Sequence, residues 1–368
     1  MFVCITWLYM GRPVCCLIDA SAVRNNLVLL KTKSPISKII AVVKADAYGH
    51  GIKNIINALA QADALAVSSI DEAIALRKMT NKIIFLLEGF FNFSELHFVK
   101  NNNIKLVLHT REQFLSLLDW SLDISVWVKI NTGMNRLGFS YEDVLFLCNQ
   151  LDQNTKCKIN VEGLITHYAN ADEPKHYLNQ KQIENFYEIK QILKKDISIS
   201  ISNSAAILSG IAQNEWVRPG IALYGASPFI DKTAGDLGLI PAMTLVSKLI
   251  SIRFCYAGDN VGYGAEYICA EDMLIGVVAI GYGDGYPRHA TMGTPVLING
   301  VVVPLIGLVC MDMIMVDLRL CNNAQVGDDV TLWGKNLPIE VIAKKANTIP
   351  NQLMTGVSSR VIRNIEFY

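Results

Sequence analysis

The sequence predicts an α/β fold in which an N-terminal (β/α)8 TIM-type barrel is followed by a mostly β C-terminal domain. Three observations carry this. Short β-rich apolar runs alternate with longer helix-like stretches over the first 225 residues. The polar residues with useful chemistry fall at or just after the ends of those runs. After about residue 240 the texture changes to β runs broken by Gly and Asp turns.

Eight runs can be named in order: Ile39 to Lys44, Ala64 to Ser68, Lys82 to Leu87, Ile104 to Leu108, Ser125 to Ile130, Val161 to Thr166, Ser198 to Ser202, and Ile221 to Tyr224. A near-continuous apolar run is what a strand buried on both faces shows, and eight of them with intervening helices count out a closed barrel. Lys44, His109, Lys129, His167 and Ser204 then fall on the rim where such barrels keep their chemistry. Each alone also reads as a solvated residue closing a strand. Beyond the barrel, YAGDN, INGVVVP and QVGDDVTLWG mark turns of the second domain, with one helical stretch near Ile339 to Ala346. The expected division is an N-terminal segment, 1–17, packing with the β domain, a barrel over 18–238 and the β domain over 239–368.

Lys plus Arg number 33 and Asp plus Glu 33, so the net charge is zero. That balance speaks against nucleic acid or an acidic membrane surface as partner, since both demand a basic face. A small ligand is expected. Nine cysteines are scattered without a CxxC pair or zinc spacing, which fits reduced thiols in the cytoplasm and no metal. The opening MFVCITWLYM lacks the leading Lys or Arg of a signal peptide and is shorter than the ~20 residues a membrane span needs.

The most informative segment is AVVKADAYGHG, where an apolar run ends on Lys44 and is followed by Tyr48 and two glycines. A lysine desolvated there loses basicity and becomes nucleophilic towards an aldehyde. Together with KINTGMNRLGF, THYANAD, SNSAA, WVRPGIALYG, GYGAEY, GYGDGYPR and VCMDM, in that order from about Arg12 to Arg363, the chain resembles the alanine racemases. These are pyridoxal-phosphate enzymes built from a barrel and a C-terminal β domain.

The resemblance implies roles residue by residue. Lys44 bonds pyridoxal 5'-phosphate covalently, and Tyr48, Ser204 and the backbone N–H groups of Gly220 and Ile221 hold its phosphate. Taken alone, Ser204 also reads as a plain helix N-cap. Arg218 faces the pyridine nitrogen; an arginine cannot surrender a proton there, so the ring stays a weak electron sink and return of the proton to Cα is favoured over transamination. Racemisation needs two bases on opposite faces of the substrate. Lys44 serves the D side and Tyr263 the L side, although GYG alone also fits a packed β-domain tyrosine. Arg136 and the N–H of Met311 bind the substrate carboxylate. Lys129 lies at the spacing where the family lysine is often carbamylated, with an unmodified lysine beside chloride or a carboxylate as the competing reading. His167 packs near the ring. Asp172, Tyr282, Arg288 and Asp312 line the approach to the site on a looser match, each also readable as structural.

Three positions depart from the family pattern. Asn131 stands where Asp is common, Ser200 where some members have a histidine supporting the arginine, and Ser359 where some have a tyrosine shaping the substrate pocket. The resemblance further implies a homodimer with shared active sites, in which Tyr263 and Met311 come from the second subunit. Met10-Gly11-Arg12-Pro13 matches the usual opening of family members, so residues 1–9 are expected to add nothing to the core. The reading is a cytoplasmic enzyme interconverting L- and D-alanine and supplying D-alanine for peptidoglycan. The alternatives are a barrel-type amino acid decarboxylase, which needs an acidic residue at the pyridine nitrogen and a catalytic Cys, and a non-catalytic pyridoxal-phosphate carrier built from the barrel alone.

Overall fold

The computed structural model describes residues 11–120, 123–154, 158–193, 196–211 and 214–366. The expectation about residues 1–9 and the Met10 start lies outside them. Two compact units are present, one spanning Ser21–Ile240, the other combining the residues up to Ala20 with those from Pro241 onward.

Strand β1 (Cys15–Ile18) belongs to the second of these units. In the first, eight strands close a barrel: β2 (Lys38–Val42), β3 (Ala64–Val67), β4 (Ile83–Leu86), β5 (Ile104–Leu108), β6 (Ile124–Lys129), β7 (Ile159–Ile165), β8 (Ser198–Ser200) and β9 (Trp216–Val217). All neighbours pair in parallel, and β9 returns to β2 through Lys38 opposite Trp216 and Ile39 opposite Val217. The interior is filled by Ile40, Val42, Ala66, Phe85, Val107, Trp127, Ile165 and Trp216. Phe85 and Trp127 meet edge to face at 5.1 Å, the arrangement aromatic quadrupoles favour. Gly163 makes room for this stack, since a Cβ there would lie 2.7 Å from the Trp127 ring.

One strand differs from the sequence expectation. The eighth strand is Trp216–Val217, and Ile221–Tyr224 is a 3-10 turn. Those four residues are apolar because all are buried, and burial alone does not distinguish an extended run from a tight turn. Gly220 and Gly225, the latter at φ 70°, bound the segment as a turn.

Helices between strands start where the sequence signals them. Ser69 caps Ile70–Arg77, accepting from Glu72 N, and Ser140 with Asp143 forms a full capping box on Tyr141–Gln153.

The second unit is an eight-stranded sheet, antiparallel except where β1 runs alongside Ile362–Ile365. Its long strand β10 (Met243–Cys255) pairs with β1 and Asp329–Trp333 near its start and with Met273–Val278 near its end. Register shifts after Leu245 and Leu249 allow that bend. The INGV turn is a tight hairpin with Asn299 at φ 50° and Gly300 at φ 78°, as Asn-Gly predicts. Two late helices of seven residues each are found, Ile339–Lys345 and Pro350–Gly356; the first is the helical stretch expected, and the second, with Pro at its first position, adds to it. No helix among the described residues is long and apolar enough to cross a membrane. Cys15, Cys16, Cys148, Cys255, Cys269, Cys310 and Cys321 are free thiols.

Candidate active site

The carboxyl ends of the barrel strands gather Lys44, Tyr48, Lys129, Arg136, His167, Ser204, Arg218, Gly220 and Ile221 on one rim. Strand β2 stops at Val42, so Lys44 is the first residue of a separate turn, Lys44–Tyr48, rather than a strand end. That turn is left-handed. Ala45, Asp46, Ala47 and Tyr48 have φ of 53, 50, 57 and 52°, with Ala47 N bonded to Val43 O and Gly49 N to Ala45 O, both at 2.9 Å. L-residues in this conformation cost roughly 1–2 kcal/mol each, so surrounding contacts must hold it. Those contacts include the Tyr48 ring stacked on Tyr224 at 4.7 Å and the Tyr224 hydroxyl donating to Val42 O at 2.8 Å. Burial raises the Tyr48 phenol to about 12, which keeps it a hydrogen-bond donor.

Around Tyr48 the groups suited to an anion converge. Gly220 has no side chain where a Cβ would sit 2.5 Å from the Tyr48 hydroxyl oxygen. Ser204 is buried, and its Oγ accepts from Gly220 N at 2.9 Å and Ala222 N at 3.3 Å, leaving its own proton to donate. The N-cap of helix Ser204–Ser209 is Asn203, whose side chain accepts from Ala206 N, so Ser204 is not the cap. Ile221 opens the following 3-10 turn, where the first N–H groups have no partner within the turn. A phosphate fits the Tyr48 and Ser204 hydroxyls and the Ile221 N–H; the Gly220 N–H, expected as a further donor, is here given to Ser204 Oγ. Gly220→Ala is expected to push Tyr48 off Tyr224, lowering stability by about 1–3 kcal/mol and weakening phosphate-ligand binding. Thermal melting with ligand titration checks this, and wild-type values in both would refute it.

Arg218 is buried and seated on neutral groups. Its guanidinium donates to Ser200 Oγ at 2.6 Å, to Ile201 O at 3.3 Å and to Thr166 O, with His167 Nδ1 at 3.5 Å. Ser200, the position departing from the family histidine, is thus an acceptor for the arginine; it in turn donates to Trp216 O at 2.8 Å. Burial lowers Arg218 to about 9, still cationic at neutral pH. His167 is held well below its usual value, first by burial and then by Arg218, Lys129, Arg136 and Lys44. It is therefore neutral.

Lys129 ends β6, and its ammonium is pushed down to about 8, chiefly by burial and then by Arg218, Arg136 and Lys44, with Glu88 opposing. The unfolded chain keeps this proton up to about 10.5, so the folded state is penalised below pH 8 and gains stability as pH rises from there. Tyr48 reverses the trend above its ordinary value of 10. Between pH 8 and 10 the melting temperature of the ligand-free protein is expected to carry a rising contribution that Lys129→Met removes; the same slope in both proteins would exclude it.

Arg136 lies in the exposed loop after β6. Asn131 organises that loop, its Oδ1 accepting from Gly133 N and Asn135 N and its Nδ2 donating to Asn135 Oδ1. The amide oxygen accepts both N–H groups without bringing the charge that an Asp would. Sequence reasoning missed a buried network behind the rim. Gln182 donates to Thr132 Oγ1 and His167 O, both at 3.0 Å, and accepts from Ala169 N. Thr132 meets Thr166, which donates to Ile130 O. Helical periodicity marks Gln182 only as a face position. Asp172 sits half-buried in the loop after β7.

The β unit holds the remaining candidates. Tyr263 begins a 3-10 turn between the paired segments Asn260–Val261 and Tyr267–Ile268. Gly262 at φ 77° precedes it, where a Cβ would lie 2.6 Å from Met315 Cε. Tyr282 N donates to Cys310 O and Gly283 N to Met311 O, bringing Tyr282, Met311 and Asp312 together. The fully buried Asp284 accepts from Arg12 at 2.9 Å and Arg360 at 2.7 Å, and Arg360 also reaches Asp312 at 2.7 Å. The Asp312 carboxylate is therefore engaged. Arg288 and Ser359 are exposed.

Comparison with known proteins agrees along nearly the whole chain. The family description "Alanine racemase, N-terminal domain" matches residues 18–228, and "Alanine racemase, C-terminal domain" matches 242–365. An alanine racemase of Nitrosococcus oceani is 44% identical over 355 residues, covering 95% of this chain and 98% of that one. A biosynthetic alanine racemase from Pseudomonas aeruginosa superposes with a TM-score of 0.92 at 39% identity, covering 97% of this chain and 100% of the other. The alanine racemase of Bartonella henselae with covalently bound pyridoxal phosphate gives 0.87 at 29% identity, over 97% of this chain and 100% of the other.

Proposed function

The chain belongs to the alanine racemase family of isomerases, and from that premise we propose that it interconverts L- and D-alanine by a two-base mechanism with pyridoxal 5'-phosphate on Lys44. The observation that carries the reading is the rim itself, where Lys44, Lys129, Arg136 and Arg218 act together on the neutral His167. Such a cluster of cations suits a ligand bearing a phosphate and a carboxylate.

Tyr48, Ser204, Gly220 and Ile221 would hold the phosphate, and Arg218 would face the pyridine nitrogen. When bound, the cofactor supplies an aldehyde for amines and a conjugated ring that takes up the electron pair left at Cα. Arg218 donates a hydrogen bond without giving up its proton, since its guanidinium stays cationic at neutral pH, and its bonds to Ser200 and two carbonyls hold it in place. That favours prompt return of the proton to Cα. The decarboxylase alternative calls for an acidic residue here, and Arg218 does not supply one.

Arg136 and the N–H of Met311 bind the substrate carboxylate. Lys44 takes or returns the Cα proton on the D side and Tyr263 on the L side. The depressed Lys129 supports its carbamylation, since only a neutral amine attacks carbon dioxide; the resulting anion would orient Arg136. Tyr263 is 69% exposed and Met311 54% exposed, which supports their serving the barrel of a second copy in a homodimer. We place the enzyme in the cytoplasm, supplying D-alanine to peptidoglycan.

Incubation with L-alanine in heavy water, followed by chiral separation and mass measurement, tests the activity. Equal enantiomers carrying deuterium at Cα are expected. Unchanged L-alanine, or loss of carbon dioxide, would reject the assignment.

A further inference from the structure

The left-handed turn after Lys44 is braced by two carboxylates, its own Asp46 and, from outside, Glu72. Asp46 Oδ1 accepts from Ile52 N at 2.8 Å on its far side. On its near side stands Glu72, from the helix Ile70–Arg77 that follows β3. Glu72 Oε1 accepts from Ala45 N at 2.6 Å and Oε2 from Ser68 N at 2.9 Å. Ala45 N belongs to the peptide bond that leaves Lys44, so the carboxylate holds the link immediately after the lysine. Ser68 directly follows β3, so one side chain ties the loops after two adjacent strands together.

This arrangement needs an acceptor on both arms. An amide would turn its own N–H2 towards one of the two N–H donors, and a shorter or apolar side chain would leave a donor of the turn unmatched. Glu72 is itself fixed at the first turn of its helix, its N–H taken by Ser69 Oγ at 3.5 Å. That cap can be removed without touching the carboxylate's bonds.

Resting on the reading of Lys44 as the residue that bonds the cofactor, we propose that Glu72 is a positioning residue that holds the left-handed turn and thereby aims the Lys44 amine. It touches no substrate; it acts through the Lys44–Ala45 peptide.

The test compares full-length wild type, Glu72→Gln and Ser69→Ala, each stripped of cofactor and mixed with pyridoxal phosphate. Borohydride trapping at timed intervals with peptide mapping reads the rate at which Lys44 is labelled, and thermal melting reads stability. Glu72→Gln is expected to label Lys44 at least tenfold more slowly, and to lower kcat in holoenzyme with KM near wild type. Ser69→Ala should label at the wild-type rate although its melting temperature falls. Should Glu72→Gln fail to fold, Glu72→Asp, one methylene shorter, is expected to show intermediate slowing. A wild-type labelling rate in either Glu72 variant, or equal slowing in Ser69→Ala, overturns the inference while leaving Lys44 as the attachment site. Labelling of a different lysine in the wild type overturns that site reading, and the inference with it.

Discussion

Lys44→Ala is expected to lower racemisation by at least about a thousandfold, since in the proposed mechanism it would remove both the covalent anchor and one of the two proton-transferring groups. The same change should leave the fold nearly untouched. Lys44 is only half-buried, and the turn it begins is bonded through the backbone, from Ala47 N to Val43 O and from Gly49 N to Ala45 O. A substitution of this kind away from the core is usually worth within about 0.5 kcal/mol. Chiral analysis of the product and a melting curve read the two effects separately. Lys44→Ala protein that still racemises alanine, with intact melting, would remove the lysine from the mechanism. A large loss of stability would instead show that the side chain supports the turn.

The second large effect is a recovery. Lys44→Ala and Tyr263→Phe homodimers should each be inactive, yet co-expression of the two chains should restore roughly a quarter of wild-type activity. In the proposed two-fold dimer each site would take a barrel from one subunit and a β unit from the other. A mixed dimer then has one site with both lesions and one with neither. Random pairing makes half the dimers mixed, each with one good site of two. The physical motive is the exposure of Tyr263 and Met311, since groups meant to act in a desolvated site should not end in solvent. If both bases came from a single chain, every site would keep one lesion and mixing would restore nothing. Mass spectrometry of the mixed population separates that outcome from a failure to exchange chains.

Arg218, Ser204 and Asn131 show where sequence reading reaches its limit. WVRPG singles out the arginine, but its partners Ser200, Thr166 and Ile201 come from two other strands and their following loops. SNSAA marks a helix start, but a choice between Asn203 and Ser204 as cap depends on φ and ψ, and the structure takes Asn203. The place of Asn131 in its loop is local, an Asx-type cap on residues two and four positions ahead. From the sequence Asn131 reads only as a departure from Asp; its bonding to the loop comes from the structure.

The parallel barrel, most of its strands and the rim on which Lys44, Lys129, His167 and Ser204 stand are legible in the chain alone. Alternation of buried strands with helices is written in short stretches of chain, whereas the residue that closes a strand is not, as Lys44 shows by standing two residues beyond Val42. That Ile221–Tyr224 turns rather than extends, that the chain after Lys44 winds left-handed, and that Glu72 and Ser200 bond to the lysine turn and the arginine depend on contacts distant in sequence. A buried apolar run has the same composition whether it lies in a strand or a tight turn. A disfavoured backbone conformation survives only because contacts from elsewhere outweigh its local cost, so neither could be read from the residues that adopt it.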